Sequence, residues 1–138
     1  MRKSILISIL MSAFWTACTG VSSDDLKHLE GYWEISKVEA HGETFSPRGS
    51  APAVDHYQMV NDSLGIKKKM VPRFGEKYNS SDDLIQYRIL FVNGKYSLQF
   101  FSALEEWEEE IKRLSPDEMV LFHNDKSYHY KRHQKIAY

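Results

Sequence analysis

The chain has 138 residues, a formal net charge of −1 and a single cysteine. This length suits one domain, and an apolar fraction of 42% with 13% aromatic residues is enough for a hydrophobic core. The near-neutral charge argues against nucleic-acid binding, because proteins that bind nucleic acid carry a basic excess to meet the phosphates. One cysteine excludes an internal disulfide and any metal site built from several cysteines.

The first 17 residues have the pattern of a secretory signal peptide. Arg2 and Lys3 precede an uncharged apolar stretch, Ile5 to Trp15, which is shorter than the ~20 residues of an ordinary membrane span. Cys18 follows directly after the small residue Ala17.

This arrangement resembles the lipobox of bacterial lipoproteins, in which the cysteine is lipidated and becomes the first residue of the mature chain. Ala17 fits the motif, whereas Trp15 stands where the motif prefers leucine. The resemblance implies a signal peptide at 1–17 and a lipid on Cys18. The protein would then be anchored to a membrane of the cell envelope, with the outer membrane favoured. An ordinary cleaved signal, or a free cysteine, is the alternative.

The segment after the cysteine is short and polar. We expect residues 18–25 to form the lipidated cysteine and its tether, and residues 26–138 to form the folded domain. Ser22 or Ser23 can cap a short helical turn, with Asp24 and Asp25 at its positive end.

Turn signals at short intervals separate β-rich runs, which favours a mostly antiparallel β domain. In the first strand, Trp33 and Ile35 share one face, and His41-Gly42 marks its end. Further strands are expected at 56–60 and 64–71. The stretches 46–54 and 72–83 are predicted to be loops, because they are rich in proline, glycine and small polar residues.

Asn93-Gly94 is the strongest local signal, because a type I′ hairpin turn needs positive φ at both central residues. Pairing outward from Val92 and Lys95 places six large side chains on one face of the hairpin. These are Tyr87, Ile89, Phe91, Tyr96, Leu98 and Phe100. A slip of one residue would turn the whole set to the other face, so the register is well specified.

A second hairpin is predicted around Asn124-Asp125, with Leu121 opposite Tyr128 and Met119 opposite Tyr130.

The segment 104–114 fits two structures. The positions of Leu104, Trp107, Ile111 and Leu114 have helical spacing, whereas Trp107, Glu109, Ile111 and Arg113 alternate as in a strand. Its position between two hairpins favours a strand, but the sequence leaves the choice open.

Gly31 and Trp33 form a G-x-W motif after the short turn, which resembles the opening motif of lipocalins. Residues 29–45 and 111–133 are similar to the start and end of small bacterial lipocalin-like lipoproteins. The resemblance implies an antiparallel up-and-down lipocalin-like β-barrel of about eight strands, preceded by the signal peptide and a short helical turn. It also gives Gly31 and Trp33 structural roles, with an arginine packed over Trp33. Arg132 is the best match, and Arg88 and Lys131 are alternatives.

The family resemblance further implies an interior that can hold one small hydrophobic or amphipathic ligand. The expected ligand-binding residues are Trp33, Tyr87, Ile89, Phe91, Tyr96, Leu98 and Phe100. Small barrels more often fill their interior with side chains. The alternative is therefore a filled barrel that contacts another envelope protein through loops 46–54 and 72–83.

The sequence contains no recognised catalytic or metal-binding pattern. Four residues of strand separate His129 from His133 by about 13 Å, too far for one zinc ion to bridge. The glutamates at 105–110 are typical of a solvated face. The sequence has no G-x-S-x-G and no glycine-rich phosphate loop. We expect no enzymatic activity, no cofactor and no metal.

Overall fold

A computed structural model describes residues 20–48, 53–73, 77–80 and 84–134, so the predictions on the signal peptide and Cys18 lie outside the described residues. A 3-10 helix, Ser23–Leu29, precedes the strands. The strands are β1 (Gly31–Ala40), β2 (Glu43–Phe45), β3 (Val54–Met59), β4 (Leu64–Arg73), β5 (Lys77–Ser80), β6 (Ile85–Val92), β7 (Lys95–Phe101), β8 (Glu106–Leu114), β9 (Glu118–His123) and β10 (Lys126–Arg132). In these described segments, no helix is both long enough and apolar enough to cross a membrane.

Eight strands close into an antiparallel barrel in the order β1-β3-β4-β6-β7-β8-β9-β10, and β10 pairs back with β1. Trp33 of β1 lies opposite Asp55 on one side and Arg132 on the other, which closes the sheet. β2 pairs with the last residues of β1, and β5 with the last residues of β4. The predicted mostly β, lipocalin-like barrel with a short helical turn before it is confirmed.

Both predicted hairpins are confirmed in register. Asn93 and Gly94 have φ of 52° and 75°, as a type I′ turn requires, and Val92 lies opposite Lys95. Asn124 and Asp125 also have positive φ, at 48° and 59°. Leu121 pairs with Tyr128 and Met119 with Tyr130, as predicted.

The segment that the sequence left open is strand β8. Leu104, which a helical stripe would bury, is 97% exposed in the turn before the strand. The register shifts between Ile111 and Arg113, so that Ile111 and Leu114 are both buried although they lie three residues apart. The bulge therefore produces the spacing that resembled a helix.

The predicted loop at 72–83 is wrong in part. β4 continues to Arg73, and β5 pairs with it, with Val71 opposite Asn79. Pro72 is tolerated because the pairing of β4 with β3 ends at Met70, so only one side of β4 is paired there. Of the other predicted loop, residues 46–48 and 53 lie outside strands, and 49–52 lie outside the described residues. The prediction is wrong at its last residue, because Val54 begins β3.

Because the strands alternate in direction, the connections fall at two ends of the barrel. The helix end carries the 3-10 helix and the β3–β4, β6–β7 and β8–β9 connections. The far end carries the β1–β2, β7–β8 and β9–β10 connections.

Trp33 and Arg132 close the helix end. The Trp33 side chain is fully buried, and its indole N–H donates to the Leu29 carbonyl at 2.9 Å. The Arg132 guanidinium lies 3.8 Å from the centre of the Trp33 ring. It donates to the carbonyls of Pro116 at 2.8 Å, Glu30 at 2.9 Å and His28 at 2.7 Å. Arg132 is thus the arginine that packs over the tryptophan, and not Arg88 or Lys131.

Gly31 is required at this closure. Its φ is +126°, a conformation that side-chain-bearing residues rarely adopt, and a β-carbon there would collide with the Arg132 guanidinium. The structural role expected of Gly31 therefore has a physical basis.

Two buried tyrosines occupy the middle of the core. Tyr57 and Tyr87 are fully buried with ring centres 5.6 Å apart, and Gly65 leaves the space that the Tyr87 ring fills. Neither hydroxyl makes a hydrogen bond within the described structure. Burial raises the pKa of both phenols above the ordinary value, so both stay neutral well into alkaline solution.

We expect Arg132→Lys to lower the free energy of unfolding by about 2–3 kcal/mol, because lysine cannot reproduce the fork of donors or the planar stack on Trp33. Urea unfolding measures the loss. Arg113→Lys is the matched control, since Arg113 pairs with Glu118 at an exposed site and should change stability by less than about 0.5 kcal/mol. Equal effects of the two substitutions would contradict this account of the closure.

We expect stability to fall as pH rises above about 10, where unfolded tyrosine ionises but buried tyrosine does not. The raised pKa values mean that the neutral form stabilises the fold below this pH, and that this contribution is lost above it. Urea unfolding at increasing pH tests the prediction. Tyr87→Phe should reduce the alkaline loss, because it removes one of the buried phenols. An alkaline loss of the same size in the Tyr87→Phe variant and the wild type would disprove the assignment.

Candidate functional site

A cavity of about 380 Å³ lies above the packed core, towards the far end of the barrel. It is lined by Ile35, Ala53, Asp55, Lys67, Lys69, Ile85, Tyr128 and Tyr130. Strand alternation places these side chains: Ile35 follows Trp33 on the inner face of β1, and Lys67 and Lys69 follow Gly65 on β4. The cavity therefore begins where the apolar core ends.

An ion pair lies in the wall of the cavity. Asp55 Oδ2 lies 3.5 Å from Lys67 Nζ, and both side chains are only 13% exposed. Lys67 Nζ also lies 5.1 Å from the centre of the Phe100 ring, which adds a favourable cation–π contact. Taking two charges out of water costs free energy that their attraction only partly returns, so this pair is weak evidence for stability.

Asp55 has a second oxygen, Oδ1, which is buried and has no hydrogen-bond partner within the described residues. Buried carboxylate oxygens are almost always hydrogen-bonded, so an unpaired one beside a cavity can accept a hydrogen bond from a bound molecule. Lys69 lies directly opposite Asp55 across the β3–β4 ladder and is exposed, which places its ammonium group at the mouth.

Tyr128 and Tyr130 of β10 also line the cavity. Burial raises the pKa of the Tyr130 phenol, and the nearby carboxylates of Asp55 and Glu109 raise it further. Tyr130 is therefore a neutral hydroxyl at physiological pH. The Glu109 carboxylate is not among the lining groups and accepts a hydrogen bond from the Trp107 indole at 2.9 Å.

None of the seven predicted ligand-binding residues lines this cavity. Trp33, Tyr87, Leu98 and Phe100 are fully buried in the core below it, and Ile89 and Tyr96 pack against that core. Phe91 departs from the expected inward position: it is 61% exposed, because it lies at the helix end, one residue from the end of β6. A role for this set in binding stays a prediction.

Sequence reasoning missed all eight lining residues, and the charged ones are the least expected of them. A run of three lysines suggests a solvated surface, but alternation along β4 turns Lys67 and Lys69 to one face and Lys68 to the other. The available signal was Gly65, which shares their face and lies against Tyr87. The inner face of a strand is usually expected to be apolar, so charged residues on that face are not predicted from the pattern.

The histidines that invited a metal hypothesis lie beside carboxylates of β1. His129 Nε2 is 3.4 Å from Glu39, and His133 Nδ1 is 2.9 Å from Glu34. Among the residues the structure describes, no three His, Cys, Asp or Glu side chains gather as a metal site would require.

No protein-family model and no curated protein matches this sequence. Solved structures with a similar fold include a lipocalin-like protein from Bacteroides uniformis, 7% identical with a TM-score of 0.49 over 77% of this chain and 99% of that one. A protein from Bacteroides eggerthii, described as uncharacterized, is 10% identical with a TM-score of 0.48 over 76% and 99%. A designed fluorescence-activating β-barrel is 14% identical with a TM-score of 0.47 over 80% and 98%. The fold rests on this chain's own strand order, a closed antiparallel barrel of eight strands in which Arg132 packs on Trp33.

Proposed function

We propose that the barrel binds one small amphipathic molecule in the cavity at its far end. The observation that carries the proposal is the unpaired, buried Oδ1 of Asp55 in the wall of a cavity of about 380 Å³. That volume falls within the range of small-molecule sites. A carboxylate with one unpaired oxygen would only destabilise an interior whose single role is packing.

The lining also indicates the kind of ligand. Ile35 and Ile85 offer apolar contact, and the tyrosine hydroxyls offer hydrogen bonds. Lys67 and Lys69 contribute two positive charges against the one negative charge of Asp55, so the lining carries a net charge of +1. This balance favours an amphiphile with an anionic group near Lys69 and a hydroxyl or other donor near Asp55. A purely hydrophobic ligand would leave these groups unpaired.

We propose further that Cys18 carries a lipid that holds the barrel on a membrane of the cell envelope, with the outer membrane favoured. The lipobox-like sequence supports this, because the only cysteine of the chain follows an apolar segment and a small residue. Two or more acyl chains would give stable attachment. Binding of another envelope protein through 46–54 and 72–83 stays an alternative prediction.

We expect Lys69→Glu to weaken binding of an anionic amphiphile such as dodecanoate about tenfold, because it reverses the charge at the mouth of the cavity. Isothermal titration calorimetry measures the affinity. Lys68→Glu is the matched control: it makes the same charge change on the other face of β4 and should leave the affinity within about twofold. Mass spectrometry of the purified native protein should also detect a co-purifying amphiphile. Absence of any binding to the wild-type barrel, or equal losses in both variants, would overturn the proposed site.

We expect Cys18→Ala to move the protein from the membrane fraction to the soluble fraction, because the acylated thiol would be lost. Fractionation followed by immunoblotting measures the distribution. Ser22→Ala, a change of similar size after the cysteine, should leave the protein in the membrane fraction. Unchanged membrane association of the Cys18 variant would refute the anchor.

A further inference from the structure

We infer that the bilayer meets this barrel at its helix end, on an apolar rim formed by Val60, Leu64, Phe91 and Val92, and that the cavity opens away from the membrane. This inference rests on the lipid anchor proposed above. It adds the orientation of the barrel on the membrane. In this orientation the ligand reaches the cavity from the aqueous side.

The first argument is the length of the tether. Gly20 is the first described residue and lies two residues after Cys18. Two residues of extended chain reach at most about 7 Å. The acylated residue therefore holds Gly20 close to the bilayer surface.

The second argument is that the chain is fixed against the barrel directly after Gly20. Val21 packs against the hydrophobic core. The N–H and hydroxyl groups of Ser22 both donate to the Asp25 carboxylate, at 2.8 and 2.9 Å, and the helix begins at the next residue. Within the expected tether of 18–25, Val21 is therefore packed and 23–25 belong to the helix, so few residues separate the barrel from Cys18. So short a link restricts which face of the barrel can lie against the membrane.

The third argument is where the tether emerges. Gly20 and Val21 line a small groove together with Gly94, Lys95 and Tyr96, which lie at the tip of the β6–β7 hairpin. Glu110, Ile111 and Lys112 of β8 complete the groove, so the anchor leaves the barrel at the helix end, between the β6–β7 hairpin and β8.

The apolar rim lies at this same end. Its side chains are exposed by 64% at Val60, 39% at Leu64, 61% at Phe91 and 57% at Val92. A hydrogen bond of 2.8 Å from the Ile89 N–H to the Ser63 carbonyl holds the β3–β4 connection against β6, so Val60 and Leu64 lie at the same end of the barrel as Phe91 and Val92. Phe91 and Val92 are successive residues of β6 and present apolar surface on both faces of the strand at that end. Such side chains can enter the boundary between headgroups and acyl chains.

Exposed apolar side chains also occur towards the far end, at Phe45, Val71, Leu84 and Leu104. The exposure of apolar side chains therefore does not indicate which end of the barrel meets the bilayer, whereas the short tether does. The charges near the rim are mixed: Lys95 lies 3.3 Å from Glu110, Asp62 is exposed in the β3–β4 connection, and Asp24 and Asp25 begin the helix. The contact should therefore depend on apolar burial and little on anionic lipid.

The experiment uses the full lipoprotein, isolated from membranes and reconstituted into phosphatidylcholine vesicles. Because the acylated Cys18 has no free thiol, Val92→Cys and Leu104→Cys each introduce a single site for an environment-sensitive fluorophore. Leu104, at the far end, is the matched control because it is apolar and 97% exposed. Lipids with a quencher on the acyl chain report which label touches the bilayer.

We expect quenching several-fold stronger at position 92 than at position 104, and loss of this difference when Cys18→Ala is added. Equal quenching, or stronger quenching at 104, would overturn the orientation. If the protein remains in the membrane fraction but neither label is quenched, the orientation is wrong and the anchor stands. If the protein does not fractionate with membranes, both the anchor and the orientation are wrong.

Discussion

The stack of Arg132 on Trp33 is the contact on which the rest of the barrel depends. It joins the last strand to the first and, through the carbonyls of His28 and Glu30, fixes the helix against the same point. A closed barrel leaves no free edge among its eight strands, which protects the sheet from pairing with other chains. A guanidinium suits this position because its donors lie in one plane and can meet three carbonyls while the flat face covers the indole.

The barrel is closed at the helix end, and its two halves differ in how polar their interior is. The helix end is filled by aromatic and aliphatic side chains, including Trp33, Tyr57 and Phe100. The other half keeps an ion pair and the unpaired Oδ1 of Asp55 beside a cavity. Polar groups of this kind cost free energy in an interior, and stable packing elsewhere is what allows the fold to tolerate them.

Local rules were enough to predict much of this fold. Asn93-Gly94 set both the turn and the register of β6 with β7, since only certain residues adopt positive φ easily. The G-x-W resemblance led to Trp33 and Arg132. The cavity could not be found in this way, because alternation says that Lys67 and Lys69 share a face but not that this face points inwards. Phe91 shares a face with buried residues yet lies exposed, since its position along the barrel depends on where the strand ends.

The two halves also suit a protein held on a membrane by a short link. A lipid on Cys18 would bring the filled half, with the exposed Phe91 and Val92 at its end, to the bilayer surface. The polar half would then face water, where the charge on Lys69 can attract an anionic amphiphile before the molecule enters the cavity. The reverse orientation would press the charged mouth against lipid, where desolvation of Lys69 opposes close contact. The position of the tether and the chemistry of the cavity therefore favour the same arrangement, although they depend on different residues.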